Sequence, residues 1–257
     1  RRGYSVRVTD YNPGDSFPGD GDIFVGGGGQ DSGQDRIKED LVKVGPTLKA
    51  WAADGVPMLA ICGLYQLFGH GFTTAKGQEI PGISLMDAHT VAGATRLIGN
   101  ITLDTEDFGA VVGYENHSGS TTLGEGQAPF GRVRHGMGNN GSDGTEGARR
   151  GHVIGSYLHG PILPANPQLA DALIGWAAEH ATGSPFVPGE LDDEVARQAH
   201  DAQVRRRGER DPGVLQRPRR RDRGRGVPAL HPRHGRRLRA DERRRVRARG
   251  QGRTGRV

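Results

Sequence analysis

The chain has 257 residues and a single cysteine, so it can form no internal disulfide; hydrophobic residues make up 33% of it, less than in an ordinary globular domain. No apolar run reaches the roughly 18 residues that a membrane span needs, and no secretory signal is visible, so the body is read as cytoplasmic. The formal net charge of +5 conceals two regions of opposite sign: residues 205–257 hold 21 Arg, no Lys and 5 acidic residues, a net of +16, which leaves −11 for residues 1–204.

In chain order, residues 2–8 (RGYSVRV) alternate as a short strand does. Residues 20–25 (DGDIFV) form a compact apolar strand ended by the glycine run 26–29. After a candidate cap at 30–32, Ile37, Leu41, Val44, Leu48 and Trp51 recur at helical spacing up to Gly55. Residues 57–61 (PMLAI) make a second buried strand, and Cys62 follows at once, before a helix through Leu67 and Phe68. Beyond Gly69 the pattern becomes β-like, with strand pieces at 97–98, 101–103 and 109–114. Residues 124–147 are polar and Gly-rich and read as loop; 152–158 (HVIGSYL) is the last clear strand, running into His159. Leu169, Leu173, Trp176 and Ala177 mark a final amphipathic helix that stops near Gly183. This alternation predicts an α/β domain with a mainly parallel sheet.

Cys62 stands where a strand turns sharply into a helix. That turn presents a side chain at the top of a sheet, and a helix start favours thiolate over thiol. The N–H of Gly63 points to the same place and suits an oxyanion. A lone cysteine is more often a small buried hydrophobe, and a base tips the balance. His159 ends the last strand, whereas His70, His89, His135, His180 and His200 fall in helical or loop-like sequence. If the two strands lie side by side and parallel, Cys62 and His159 emerge at one sheet edge as a nucleophile with its base.

Four segments then act together: GGGQD (27–31), AICGLYQ (60–66), GYENHSG (113–119) and SYLHGP (156–161). They resemble the class I glutamine amidotransferases, in the branch of the cobyric acid synthase glutaminase domains and the glutaminase subunits of lipid II isoglutaminyl synthases, over about residues 3–203. The resemblance implies a three-layer, flavodoxin-like domain with a mainly parallel sheet. It implies that Cys62 attacks the glutamine side-chain amide to form a thioester, with His159 as base. Gly28, Gly29 and the Gly63 N–H would line the oxyanion hole. Gln66 matches a glutamine four residues after the nucleophile and would serve the substrate; Arg96 would grip the substrate α-carboxylate or be an ordinary surface arginine, and His117 would shape the substrate pocket or be structural. L-Glutamine would be the substrate and no metal or cofactor is implied. The partner implied is a Mur-ligase-like, ATP-dependent synthetase that amidates D-glutamate of lipid II.

Three departures stand out. Leu64 occupies a position that is Gly in many class I enzymes, and Pro161 stands where many carry an orienting Glu. The branch also lacks that Glu, so the orienting carboxylate is expected from elsewhere, such as the partner subunit. Third, the chain opens in what corresponds to the family's second strand, so a first strand and helix are expected to be missing. Residues 204–257 lack apolar periodicity and are expected to be disordered. They are either a phosphate-binding tail or an out-of-frame reading of GC-rich DNA; no aromatic residue interleaves the arginines, and the second is favoured. Three alternatives stay open: a glutaminase for cobyric acid synthesis, an inactive scaffold, and a nucleic-acid-binding protein acting through its tail.

Overall fold

The computed structural model describes residues 5–28 and 31–205, all within the unit Arg1–Arg219. A first sheet has the order β1–β2–β10–β9, built from β1 (Phe24–Gly26), β2 (Met58–Ile61), β9 (Ala148–Arg150) and β10 (Val153–Ser156). β1 and β10 both run parallel to β2, and β9 is antiparallel to β10. Helix α1 (Asp31–Ala53) makes the crossover from β1 to β2, as parallel pairing requires.

Burial on both faces follows from strand alternation. Met58 and Ala60 of β2 and Val153 of β10 pack in one core with Leu41, Val44 and Leu48 of α1. Leu59 of β2 and Ile154 of β10 pack in the other, with Leu169 and Leu173 of α4 (Pro167–Thr182). The sheet is therefore sandwiched between helices, and the expected three-layer arrangement is present. The helix of the strand–helix turn, α2 (Gly63–Phe68), is buried along its whole length.

A second sheet, mostly antiparallel, was not legible in the sequence. Its spine is the long pair β5 (Ala88–Thr105) and β6 (Gly109–Leu123), with a register shift between Ala92 and Leu97. Around it lie β3 (Gly71–Thr73), β4 (Glu79–Pro81), β7 (Gly131–His135), β8 (Thr145–Glu146) and β11 (Leu158–His159). Three expectations are corrected. The pieces at 97–98 and 101–103 are parts of one strand. The stretch 124–147 is not all loop, since it carries β7 and β8. Of the strand expected at 2–8, residues 2–4 lie outside the described residues and 5–8 form no strand; Val6 and Val8 are 69% and 80% exposed, and their alternation pairs with no strand among the described residues. The last turns are α3 (Ile162–Ala165) and α5 (Glu194–Arg205), which the sequence reading did not include. The expected tail from 204 onward lies outside the described residues, apart from Val204 and Arg205 at the end of α5.

Candidate active site

Cys62 caps α2 with φ 55° and ψ −113°, a backbone region costly for a residue with a Cβ. The half-buried thiol is thus held on a strained strand-to-helix elbow. The neighbouring strand supports it: Ser156 pairs with Ile61, and the Cys62 N–H donates to the Ser156 carbonyl at 2.8 Å. As the first residue of α2, Gly63 has an N–H without an intrahelical acceptor.

The loop after β1 closes on the thiol from the other side. A Cβ on Gly28 would stand 2.5 Å from the Cys62 Cβ and 3.2 Å from its Sγ, so only glycine allows this approach. Gly29 lies outside the described residues. The apparent misfit of Leu64 resolves at the end of β1, two residues before Gly28. A Cβ on Gly26 would overlap Leu64 Cδ2, so the missing side chain at 26 accommodates the larger one at 64.

His159 is placed differently from the expectation of a single strand running on from β10. The strand beside β2 is β10, parallel as anticipated, but it ends at Ser156. Through Tyr157 the chain leaves the first sheet and enters the second, where His159 pairs with Tyr114 of β6. His159 thus follows the strand that supports the Cys62 elbow, three residues past the acceptor of the Cys62 N–H. Its Nδ1 is buried and has no hydrogen-bond partner among the described residues.

The segment 113–119 becomes interpretable residue by residue. Gly113 leaves room for Leu158, since a Cβ there would lie 2.7 Å from Leu158 Cγ. Glu115 is buried and accepts the N–H groups of Met137 and Gly138 at 2.9 Å each. Desolvation raises its pKa against those bonds. Asn116 Oδ1 accepts from Arg96 Nε at 2.7 Å, holding an exposed guanidinium at the β5 register shift. Gly119 leaves space for the Tyr157 hydroxyl, 2.8 Å from where its Cβ would be.

His117 is 3% exposed, and its Nδ1 donates to the Gly119 carbonyl at 2.8 Å. Burial, reinforced by the charges of His159 and Arg96, lowers its pKa to about 4 against the pull of the Gly119 and Gly138 backbone. The ring is therefore neutral near pH 7, with Nε2 as an acceptor. That atom is buried and unpartnered among the described residues. His117, His159 and Arg96 thus form one electrostatic neighbourhood. Gln66 is buried with its Nε2 donating to the Tyr157 hydroxyl at 3.0 Å, and that hydroxyl is 2.6 Å from Thr121 Oγ1. Gln66 thereby fixes Tyr157, which a motif match alone did not reveal.

The sequence reading missed Glu146, which is fully buried and accepts the Tyr157 N–H at 2.6 Å. Between Thr145 and Gly147 in a polar stretch it carried no signal of burial. A separate cavity of about 1000 Å³ runs between residues 5–27, α1 and α4; its lining includes Leu64 but not Cys62, His159 or Arg96. No group of three or more His, Cys, Asp or Glu side chains suited to a metal occurs among the described residues. Nor is any described helix long and apolar enough to cross a membrane.

Comparison with known proteins agrees with this geometry. The model of the CobB/CobQ-like glutamine amidotransferase domain matches residues 1–167. The chain is 39% identical over 207 residues to the lipid II isoglutaminyl synthase (glutamine-hydrolyzing) subunit GatD of Staphylococcus aureus, covering 80% of this chain and 84% of that one. It is 37% identical over 186 residues to the subunit of the same name from Streptococcus pneumoniae, covering 70% and 72%. A probable cobyric acid synthase of Methanoregula boonei is 35% identical over 156 residues, but these span 54% of this chain and only 29% of that protein. The family model spans well over half of the sequence and accompanies a strained strand-to-helix turn at Cys62 on which Gly28 closes, and the chain belongs to the CobB/CobQ-like glutamine amidotransferase family.

Proposed function

We propose that the chain is a glutaminase subunit that hydrolyses L-glutamine through Cys62 and passes ammonia to a synthetase partner. The observation that carries the reading is the bond from the Cys62 N–H to the Ser156 carbonyl at 2.8 Å. It ties the strained nucleophile to the strand whose continuation bears His159.

The residues would work as follows. Cys62 Sγ loses its proton to His159 and attacks the side-chain carbonyl carbon of glutamine. The Gly63 N–H, with the backbone of Gly28 and Gly29, stabilises the oxyanion. His159 returns the proton to the departing amide nitrogen, and ammonia leaves behind a glutamyl thioester. Water attacks the thioester, releasing glutamate and the free thiol. Arg96 grips the substrate α-carboxylate through the nitrogens not bonded to Asn116. His117 Nε2 accepts an N–H from the substrate. Gln66 holds Tyr157 beneath that site.

His159 Nδ1 has no partner among the described residues, and we place its orienting acceptor on the partner subunit. The word "subunit" in the names of two relatives supports an assembly. Their acceptor, lipid II, is the one we assign, with the Mur-ligase-like synthetase binding ATP and the D-glutamate of the peptidoglycan precursor. The alternative acceptor, in cobyric acid synthesis, has weaker support, because this chain spans under a third of such relatives. In either case the acceptor is chosen by protein outside this chain.

The test is to supply glutamine carrying ¹⁵N in its amide to the full chain together with a Mur-ligase-like synthetase, ATP and lipid II. Label is expected in the isoglutamine of lipid II and absent with Cys62→Ser. Ammonia release without transfer to lipid II would contradict the assigned acceptor while leaving the glutaminase reading intact.

A further inference from the structure

We propose that Glu146 is a positioning residue for the nucleophile and its base, holding the Ser156–Tyr157–Leu158 bridge that sets His159 against Cys62. The inference rests on the reading of Cys62 and His159 as that pair. The bridge is where the chain crosses from one sheet to the other, so ladder bonds of neither sheet hold Tyr157. Glu146 supplies what the ladders do not. Its Oε1 accepts the Tyr157 N–H at 2.6 Å, and its Oε2 accepts the Ser156 hydroxyl at 3.1 Å. The Ser156 Oγ in turn accepts the Leu158 N–H at 3.0 Å. One carboxyl group therefore organises three consecutive residues. The first holds the Cys62 N–H, and the last directly precedes His159.

Glu146 is itself anchored to the helix of the nucleophile. The next residue, Gly147, exchanges two 3.0 Å bonds with the Asn139 side chain, and Asn139 Oδ1 also accepts the Tyr65 hydroxyl at 3.1 Å. Tyr65 lies on α2, three residues after Cys62. The path Cys62–Tyr65–Asn139–Glu146–Tyr157–His159 thus runs from nucleophile to base through fully buried groups. Burial pushes the Glu146 carboxyl up to about 8, with Glu115 adding to the rise. A group in so unfavourable a place is held there by its geometry. Removing it would leave the Tyr157 N–H and the Ser156 hydroxyl unpaired at the crossing.

The readout is the pH dependence of Cys62 alkylation by iodoacetamide, followed by intact mass on the full chain. A merely structural glutamate would alter stability but not this profile in the folded protein. The parent midpoint is expected below the ~8.5 of a free thiol, with His159→Ala raising it. Glu146→Ala is expected to raise it by about one unit, and Glu146→Gln, which keeps an oxygen for the Tyr157 N–H, to recover most of that shift. Ser156→Ala, which removes only the hydroxyl bridge, is expected to shift it the same way and decides the matter if Glu146→Ala does not fold. A folded Glu146→Ala or Ser156→Ala with the parent midpoint, alongside a shifted His159→Ala, overturns the role of Glu146 alone. An unshifted His159→Ala overturns the pairing of Cys62 with His159, and this inference with it.

Discussion

The imidazole of His117 lies flat on the phenol of Tyr157, with centroids 3.6 Å apart and planes 2° from parallel. With Nδ1 committed to the Gly119 carbonyl, the stack leaves Nε2 as the one polar edge of a neutral ring. His117→Phe keeps the stack and removes that edge. The KM for glutamine is expected to rise about tenfold, the loss of one hydrogen bond of roughly 1.4 kcal/mol, with kcat changing less. Steady-state ammonia release checks this, and an unchanged KM would remove His117 from the substrate site.

Asn116 holds Arg96 through Nε. Arg96→Lys keeps the charge and loses the planar fork, so the KM is expected to rise by roughly ten- to a hundredfold while kcat falls less. Asn116→Ala frees the guanidinium without removing it and is expected to move the KM the same way by a smaller factor. Equal losses in kcat for both variants would place Arg96 in the chemistry and not in binding.

Gly28 meets the nucleophile more closely than any side chain allows. In Gly28→Ala the backbone at Gly28 must move away from Cys62, displacing the oxyanion donor proposed there. A fall in kcat of about a hundredfold is expected, the order seen when one such donor is lost, with stability lowered by roughly 1–3 kcal/mol. Full activity would show that this loop does not serve the oxyanion.

Two buried groups make stability depend on pH in opposite senses. Glu146 has its pKa raised to about 8 from 4.5, so the folded state holds a proton that the unfolded state releases. Its protonated form favours folding fully below pH 4.5, and that advantage is lost as pH rises to about 8. Relative to the parent, Glu146→Gln is therefore expected to gain stability steadily across that window, by on the order of a few kcal/mol in total. His117 has its pKa lowered to about 4 from 6.5, so stability is lost as pH falls from 6.5 to about 4, and His117→Phe is expected to flatten that limb. Chemical denaturation of parent and variants at pH 5, 7 and 9 checks both signs.

Elements that bury apolar residues at a regular period were readable: α1 through Leu41, Val44 and Leu48, β2 and β10 through continuous apolar runs, α4 through Leu169 and Leu173. The second sheet was not, because β5 runs through the short Gly- and Ala-containing stretch 92–96, where its pairing with β6 shifts register between Ala92 and Leu97 and no strand-like alternation is left to read. β8 is two residues long, and Glu146 within it is buried by contacts remote in sequence. α5 buries no residue, so no large core side chains mark it in the sequence. Conversely, Val6 and Val8 alternate like a strand but pair with no strand among the described residues. The positions of Cys62 and Gly28 just past strand ends were readable because apolar runs end there, whereas the break at Tyr157 that puts His159 in the second sheet was not. The pairing of Arg96 with Asn116 was not, since it depends on cross-strand register.

The central claim is that Cys62 is an activated nucleophile in a glutamine pocket. The most direct measurement is intact mass after incubating the full chain with the glutamine-mimicking electrophile diazo-oxo-norleucine. One adduct is expected, blocked by excess glutamine and absent in Cys62→Ser. A protein shown to be folded that takes up no adduct, alone or with the proposed synthetase added, would contradict this claim and leave the fold as an inactive scaffold.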